Sequence, residues 1–227
     1  MLDQGRETLL VKCVRGTMFA LMRVLFRIEH HGLENIPPRG PLIIAPNHVT
    51  YFDPFWIAVR VYRTLRFMTW DRALTFPVAG TILRWLGAFP VSLENPESSA
   101  YRTSLEALRA GQALMIFPEG GRSPDGRLQR LKKGAARLAL RTGAAILPVV
   151  VLGGHEVWGP QLRLPRPRKV VVEFLPPIHA GRVEERNRSA FERSARSVTD
   201  RLAEVLRSRL ASAEARPRPS TSIRPPS

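Results

Sequence analysis

Short apolar runs alternate with longer stretches of helical periodicity along most of this chain, and this alternation constrains the fold more than any other feature. The apolar runs are bounded by Gly, Pro, Asn or Asp, which is typical of buried strands. The predicted strands lie within residues 41–47, 65–69, 88–93, 112–120, 144–153 and 168–178, and the predicted helices within 53–63, 71–87, 96–111, 132–143 and 183–213.

Strands that alternate with helices predict an α/β fold, with a mostly parallel sheet flanked by helices. The chain has 227 residues, 44% of them hydrophobic, which is enough for one such domain with a sizeable core. We expect the α/β domain to span residues 33–212. An N-terminal helical segment (1–32) would precede it, and a disordered tail (213–227) rich in Pro, Ser and Arg would follow it.

The N-terminal segment is expected to form a cationic amphipathic helix that associates with a membrane. On a helix through residues 9–31, Lys12, Arg15, Arg23 and Arg27 fall within one sector, and most of the remaining surface is apolar. Such a helix is suited to lie in a bilayer interface with its bases toward lipid phosphates. The alternative is a helix that packs on its own domain and leaves a hydrated basic edge. No stretch reaches the roughly 18 uninterrupted apolar residues of a membrane-spanning helix.

The chain is strongly basic, with 35 Lys and Arg against 19 Asp and Glu and a formal net charge of +16. This balance predicts anionic partners, such as nucleic acid, an acidic membrane surface or a phosphate-bearing substrate. Nucleic acid is not the expected partner, because aromatic residues make up only 7% and do not alternate with the bases as in a stacking platform.

Several other chemistries lack a matching motif. The single cysteine, Cys13, cannot form an internal disulfide and is predicted to be an apolar filler. No pair of His or Cys residues has the spacing of a zinc site, so no metal is expected. The chain also lacks the G-x-S-x-G of serine hydrolases, the Gly-Lys-Ser/Thr of a P-loop and the glycine fingerprint of a dinucleotide site.

Two loops at predicted strand ends, where such sheets bind ligands, carry candidate functional residues. In the first, APNHVTYFDP (45–54), His48 follows a strand and Asp53 precedes a helix. Asp53 could simply be the N-cap of that helix, with Pro54 at the first helical position. Alternatively, the loop folds His48 back over Asp53, which would then hold one ring nitrogen and leave the other free to accept a proton.

The second loop, FPEGGRS (117–123), combines a carboxylate, two glycines and an arginine directly after a strand. Gly120 and Gly121 would allow backbone N–H groups to turn toward an anion, and Arg122 could grip a phosphate with two hydrogen bonds. Lys132, the first of two lysines at the start of the next predicted helix, could add positive charge. The loop predicts a phosphate site, or else an ordinary glycine turn with hydrated bases.

Together, the two loops resemble the signature blocks of the PlsC-like glycerolipid acyltransferases. NHVTYFD resembles the H-x4-D signature of that family, and FPEGGRS resembles its F-P-E-G-T-R-S block, with Gly121 in place of Thr. The order and separation of the blocks also fit, and LKKGAARLA and ILPVVV look like the stretches that follow them. The resemblance covers roughly residues 36–177, and the chain is identified as a member of the family on these motifs.

The resemblance implies an O-acyltransferase that moves a fatty acyl group from a thioester, acyl-CoA or acyl carrier protein, to the free hydroxyl of a lysophospholipid. The usual acceptor is 1-acylglycerol 3-phosphate, and the product is phosphatidate. By this resemblance His48 would be the general base on the acceptor hydroxyl, and Asp53 would orient it. The substrate-binding residues would be Asn47, Glu119, Gly120, Gly121, Arg122 and Lys132, with Arg122 on the acceptor phosphate.

The resemblance implies no cofactor besides the acyl donor, and it implies a peripheral enzyme on the cytoplasmic face of a membrane, where it meets the phospholipid surface. The sequence departs from the family pattern at two further places. Ser92 and Leu93 lie where the family often has an arginine, and Asp71 lies where a basic residue is common. The alternatives are therefore an acyltransferase for a different lyso-lipid acceptor, or a catalytically silent basic protein that binds membranes or nucleic acid.

Overall fold

A seven-stranded sheet organises the fold. The structure, a computed structural model, describes residues 9–70, 74–85, 87–91, 96–183 and 187–215. The strands are β1 (Glu29–His31), β2 (Leu42–Pro46), β3 (Leu65–Trp70), β4 (Ala88–Val91), β5 (Ala113–Met115), β6 (Ala145–Leu152) and β7 (Val171–Phe174). Their order in the sheet is β1-β7-β6-β2-β5-β3-β4.

Five neighbouring strands of this sheet, from β6 to β4, run parallel to one another. At one edge, β7 pairs antiparallel to β6, and β1 pairs parallel to β7. The prediction of a mostly parallel sheet is therefore confirmed. Because parallel strands end at the same edge of a sheet, the loops that follow β2, β5 and β6 meet there.

Helices cover both faces of the sheet. Within the described residues, the helices are α1 (Leu9–Phe26), α2 (Asp53–Ala58), α3 (Pro77–Trp85), α4 (Pro96–Arg109), α5 (Gly134–Thr142), α6 (Gly154–Trp158) and α7 (Arg188–Glu214), with a 3₁₀ turn at Leu33–Asn35. One face of the sheet, to which Leu42 and Ile44 point, packs against α1, α2 and α3. The other face, to which Ile43 and Ala45 point, packs against α4, α5 and α7.

The first helix ends earlier than the sequence predicts. Arg27 has a φ of 45°, in the left-handed region, and terminates α1. The residues that follow form β1, in which the backbone N–H of Glu29 donates to the carbonyl of Val170 at 2.9 Å. A strand of three residues depends on its partner β7 for its existence, so its own sequence does not reveal it.

Helix α1 has one packed apolar face and one exposed apolar face. Met22 and Phe26 are buried in the core beneath the sheet, whereas Leu21, Val24 and Leu25 are 57%, 78% and 45% exposed. The side chains of residues 9–15, and most of the predicted tail (216–227), lie outside the part of the chain that the structure describes. None of the described helices is both long enough and apolar enough to cross a bilayer.

Candidate active site

The two candidate loops meet at the carboxyl edge of the sheet, as the sequence predicts. Strand β2 pairs with β5 on one side and with β6 on the other, so the residues after Pro46 lie beside those after Met115 and Val151. His48 follows β2, and Glu119 follows β5.

His48 and Asp53 form a hydrogen-bonded pair. The Nδ1 atom of His48 lies 2.8 Å from Oδ2 of Asp53, and the Asp53 side chain is fully buried while that of His48 is 16% exposed. The same oxygen accepts hydrogen bonds from the backbone N–H groups of Val49 and Thr50, at 2.7 and 2.9 Å. Oδ2 already accepts two hydrogen bonds, and an ionised carboxylate has no proton to donate, so Nδ1 donates to it. Nε2 is then the ring nitrogen available to a substrate.

Asp53 does not cap its helix in the predicted way. It is the first residue of α2, Phe52 occupies the N-cap position, and no side chain makes a capping hydrogen bond. The carboxylate instead faces backward along the chain, to the loop of His48. Burial raises the pKa of the Asp53 carboxyl, and the hydrogen bonds from His48, Thr50 and Val49 act in the opposite direction. These donors stabilise the charged form of the buried carboxylate.

The backbone of His48 is held on both sides by the second loop. Its N–H donates to Oε1 of Glu119 at 2.7 Å, and its carbonyl accepts from the N–H of Ser123 at 2.7 Å. The imidazole ring also stacks on Phe117, with ring centroids 3.9 Å apart and an interplanar angle of 26°. The position of the histidine is thus set by residues about 70 positions later in the chain.

Glu119 joins the loop of His48 to the segment of Gln129 through hydrogen bonds. Its second oxygen, Oε2, accepts a hydrogen bond from the backbone N–H of Gln129 at 2.8 Å. The side chain is 8% exposed, and burial raises the pKa of its carboxyl while the hydrogen bonds from Gln129 and His48 lower it. Both carboxylate oxygens therefore contact backbone groups, which places Glu119 behind His48.

Asn47 extends the pairing of β2 with β6 by one residue. Its Oδ1 accepts from the N–H of Val151 at 2.7 Å, and its Nδ2 donates to the Val151 carbonyl at 3.1 Å. The residue is 2% exposed. Since both ends of its amide are used by β6, Asn47 positions the start of the His48 loop.

The glycines of the second loop lie beside a lysine. Gly120 has a φ of +75°, and a Cβ atom there would lie 2.6 Å from Cε and from Nζ of Lys132. A Cβ atom built at Gly121 would have no other atom within 4 Å of it. The neighbouring Lys133 instead pairs with Glu192 of α7, at 3.0 Å. Of the two lysines, Lys132 is thus the one beside the glycine turn.

The guanidinium of Arg122 lies over an aromatic ring. Its Cζ atom is 3.5 Å from the centroid of Tyr51, and the Tyr51 ring packs against Trp158 at 5.3 Å. Within the described part of the chain, Arg122 makes no hydrogen bond or ion pair. A guanidinium that stacks through its face keeps its N–H edges for another ligand, such as a phosphate.

Helix α6 is a part of the site that the sequence analysis missed. A Cβ atom at Gly154 would lie 2.7 Å from a methyl group of Val49 and 3.2 Å from the ring of Trp56, so only glycine fits there. Trp158, at the other end of α6, contacts Phe52 as well as Tyr51. The sequence did contain a signal, since the pair Gly153-Gly154 directly follows β6 at the carboxyl edge of the sheet.

Ser92, Leu93 and Asp71, the three further residues at which the sequence departs from the family pattern, lie outside the described residues. In the described ranges, moreover, no group of three or more His, Cys, Asp or Glu side chains is placed to hold a metal ion.

Comparison with solved structures supports the same architecture. The crystal structure of the 1-acyl-sn-glycerophosphate acyltransferase PlsC from Thermotoga maritima superposes with a TM-score of 0.73 and 24% sequence identity. The superposition covers 91% of this chain and 81% of that protein. The two proteins therefore share a fold.

Sequence comparison extends the likeness. A chloroplastic 1-acyl-sn-glycerol-3-phosphate acyltransferase of Arabidopsis thaliana is 30% identical over 135 residues, which are 58% of this chain and 38% of that protein. An enzyme of the same name from Streptococcus pneumoniae is 28% identical over 174 residues, 75% of this chain and 62% of its own length. The matches thus span less than two thirds of these relatives.

A family model described as Acyltransferase matches residues 27–152, which include both loops. This range contains the His48–Asp53 pair and the segment of Glu119 that holds it. The PlsC-like resemblance of the motifs is confirmed by these matches. The chain therefore belongs to the acyltransferase family.

Proposed function

We propose that the protein transfers a fatty acyl group from a thioester, acyl-CoA or acyl carrier protein, to the free hydroxyl of a lysophospholipid. The acceptor we favour is 1-acylglycerol 3-phosphate, which gives phosphatidate; several relatives carry the name of that activity. The observation that carries the proposal is the hydrogen-bonded pair of His48 and Asp53, 2.8 Å apart, with Nε2 of His48 left for a substrate.

In the proposed reaction, Nε2 of His48 removes the proton of the acceptor hydroxyl. The acceptor oxygen attacks the thioester carbonyl, and the C–S bond breaks when the tetrahedral intermediate collapses. The proton then passes from His48 to the departing thiolate, so an ester and a free thiol are formed. Asp53 stabilises the imidazolium and fixes its tautomer. The scheme needs no enzyme nucleophile, metal or cofactor.

The acceptor phosphate would bind at Arg122 and Lys132. Support comes from the stacking of Arg122 on Tyr51, which leaves the guanidinium edges available. Lys132 lies beside Gly120 on the same loop. Asn47 and Glu119, whose polar atoms contact backbone groups, would act by positioning His48. Gly120 and Gly121 would leave room for the headgroup.

The enzyme would work as a peripheral protein on the cytoplasmic face of a membrane. Its lipid acceptor and its product both reside in a bilayer, and the exposed apolar face of α1 (Leu21, Val24 and Leu25) offers a contact for one. The net charge of +16 would favour anionic lipid.

The decisive experiment is an acylation assay read by mass spectrometry. Purified protein receives acyl-CoA or acyl carrier protein together with lysolipids that carry or lack a phosphate headgroup. We expect phosphatidate from the wild type and a loss of about 10³-fold or more in His48→Ala and Asp53→Asn. His179→Ala, at an exposed histidine, is the matched control and should retain activity.

Each result has a distinct meaning. If the wild type acylates only another lysolipid, the mechanism stands and the acceptor assignment is wrong. Turnover in His48→Ala near that of the wild type would contradict the mechanism. If no donor and acceptor pair gives a product, the chain is the catalytically silent relative.

A further inference from the structure

The segment between α6 and β7 is a basic loop. It comprises residues 159–169, and we call it the basic loop throughout. It contains Arg163, Arg166, Arg168 and Lys169 and no acidic residue. All four bases are exposed, and Leu164 is 76% exposed between them. A single exposed apolar side chain is ordinary on a protein surface, but Leu164 has three arginines within four residues of it in the chain.

The basic loop lies at the same edge of the sheet as His48. Because β7 runs antiparallel to β6, with Leu152 opposite Val171, the connection between them stays at the carboxyl edge. The loop is also attached to the site directly. The indole N–H of Trp158 donates to the carbonyl of Leu162 at 3.0 Å, and the Trp158 ring contacts Tyr51.

The loop is anchored on both sides of its tip. The N–H of Leu162 donates to the carbonyl of Gly159 at 3.0 Å, and the N–H of Arg166 donates to that of Val157 at 2.8 Å. Residues 163–165 project between these two bonds. Prolines at 160, 165 and 167 restrict the backbone further. The apolar tip is therefore held in place with Arg163 and Arg166 beside it.

Most of the positive charge of the loop is not neutralised by neighbouring residues. Lys169 pairs with Glu29 at 2.7 Å. Across the part of the chain that the structure describes, Arg163, Arg166 and Arg168 make no ion pair. Guanidinium groups without acidic partners attract phosphate, and here three of them flank an exposed leucine in the sequence of the loop.

We propose that the basic loop is a membrane-docking site for anionic phospholipid. Its arginines bind headgroup phosphates, and Leu164 enters the interface between headgroups and acyl chains. This contact is separate from that of α1 and does not depend on acyl transfer. It would turn the edge of the sheet that carries His48 toward the lipid. An acidic protein could meet the arginines too, but the exposed leucine at the tip favours a bilayer.

The first test labels the tip. Since Cys13 is the single cysteine, the double variant Cys13→Ser, Leu164→Cys can be labelled there with an environment-sensitive fluorophore. We expect a blue shift and a several-fold increase in emission with vesicles of phosphatidylcholine and phosphatidylglycerol, and a much smaller change with phosphatidylcholine alone. The matched control, Cys13→Ser, Arg39→Cys, carries the label just before β2, at the opposite edge of the sheet, and should not respond.

Two results of this test would overturn the proposal. In the first, vesicles cause no change at position 164, whether or not the protein co-floats with them. In the second, acyl carrier protein alone changes the emission as much as anionic vesicles do, which would identify the loop as a contact for an acidic protein.

The second test removes charge. A triple variant should bind anionic vesicles with a partition coefficient lower by about tenfold or more, and with a weaker salt dependence; it combines Arg163→Gln, Arg166→Gln and Arg168→Gln. The control removes the same charge from α7, with Arg193→Gln, Arg196→Gln and Arg201→Gln, and should lower binding much less. Thermal melts establish that both variants fold. Equal losses in the two variants would mean that only net charge matters, and the proposal would be wrong.

Discussion

The carboxylate of Glu119 accepts a hydrogen bond from the backbone N–H of His48, across 71 residues of chain. Its other oxygen accepts from Gln129, so one buried side chain joins three segments of the site. A carboxylate has two acceptor atoms and no donor, which suits this position. Glutamine has the same shape but offers an NH₂ group to one of the two N–H groups.

We therefore expect Glu119→Gln to lower kcat about 10²-fold, because His48 loses its fixed position, with a smaller effect on KM. The free energy of unfolding should fall by roughly 1–3 kcal/mol, since a backbone N–H is left unsatisfied. Steady-state kinetics and urea denaturation measure the two effects. Glu106→Gln, at an exposed glutamate of α4, is the control. A kcat unchanged in Glu119→Gln would show that the bridge does not position His48.

The stacking of Tyr51 on Arg122 predicts an effect on acceptor binding. Tyr51→Leu removes the ring and should raise KM for lysophosphatidate about 3- to 10-fold, with little change in kcat, because a cation–π contact is worth roughly 1 kcal/mol. Tyr51→Phe keeps the ring and should resemble the wild type. Kinetics with a lysolipid that lacks a phosphate group supply the comparison. If Tyr51→Leu raises the KM for the phosphate-free lysolipid by the same factor, the ring does not act through the Arg122 guanidinium.

Asn47 is expected to matter for stability. Asn47→Ala leaves the N–H and the carbonyl of Val151 without their partners, so the free energy of unfolding should fall by about 2–4 kcal/mol. The side chain of Asn47→Asp still accepts a hydrogen bond from the N–H of Val151 but cannot donate to its carbonyl. The free energy of unfolding of this variant should lie between those of the wild type and Asn47→Ala. Denaturation curves for the three proteins give the order. Wild-type stability in Asn47→Ala, together with a raised KM, would instead identify a substrate contact.

His30 predicts loss of stability in acid. Burial lowers the pKa of His30 to about 4, while its Nε2 contacts the Trp56 carbonyl at 2.8 Å. The pKa of His30 is near 6.5 in the unfolded chain and about 4 in the folded chain, so the unfolded chain binds this proton first as the pH falls. The contribution of His30 to the free energy of unfolding is therefore full above pH 6.5 and is lost as the pH drops toward 4. The loss from this residue can reach about 3 kcal/mol. His30→Gln removes the titration, so its unfolding free energy should vary less over this range. Parallel slopes for the two proteins would contradict the prediction.

The exposed face of α1 predicts membrane binding that is independent of folding. Replacing Leu21, Val24 and Leu25 with Gln should reduce co-flotation with vesicles about tenfold or more, because the apolar area available for burial is lost. The melting temperature should hardly change, since these side chains are exposed. Tyr62→Gln, at a residue that is 66% exposed beyond the end of α2, is the control. Full flotation of the triple variant would mean that α1 does not contact lipid.

Much of this molecule could be predicted from its sequence, because the relevant signals are local. Strands such as β2 and β6 are buried apolar runs, and parallel strands necessarily bring the loops of His48 and Glu119 to one edge. The H-x4-D spacing predicts that His48 pairs with Asp53, and the 2.8 Å distance between Nδ1 of His48 and Oδ2 of Asp53 supports this pairing.

The remaining features depend on partners far away in the chain. Nothing local distinguishes Lys132 from Lys133; Glu192, on α7, does so by pairing with the latter. Likewise, the side chain of an asparagine after a strand can turn in several directions, and only the position of Val151 on β6 shows that both ends of the Asn47 amide bond to the backbone. Strand β1 and helix α6 are too short to have a periodicity of their own, and packing defines both.

The bonds of Asn47 to Val151 and of His48 to Glu119 also bear on how the protein is made. During synthesis the histidine is translated long before the residues that hold it. A nascent chain therefore carries His48 on an unsupported loop until β5 and β6 have both left the ribosome. The site around His48 is incomplete until β6 has been added, so under the proposed function shortened translation products that lack this strand should be inert toward thioesters.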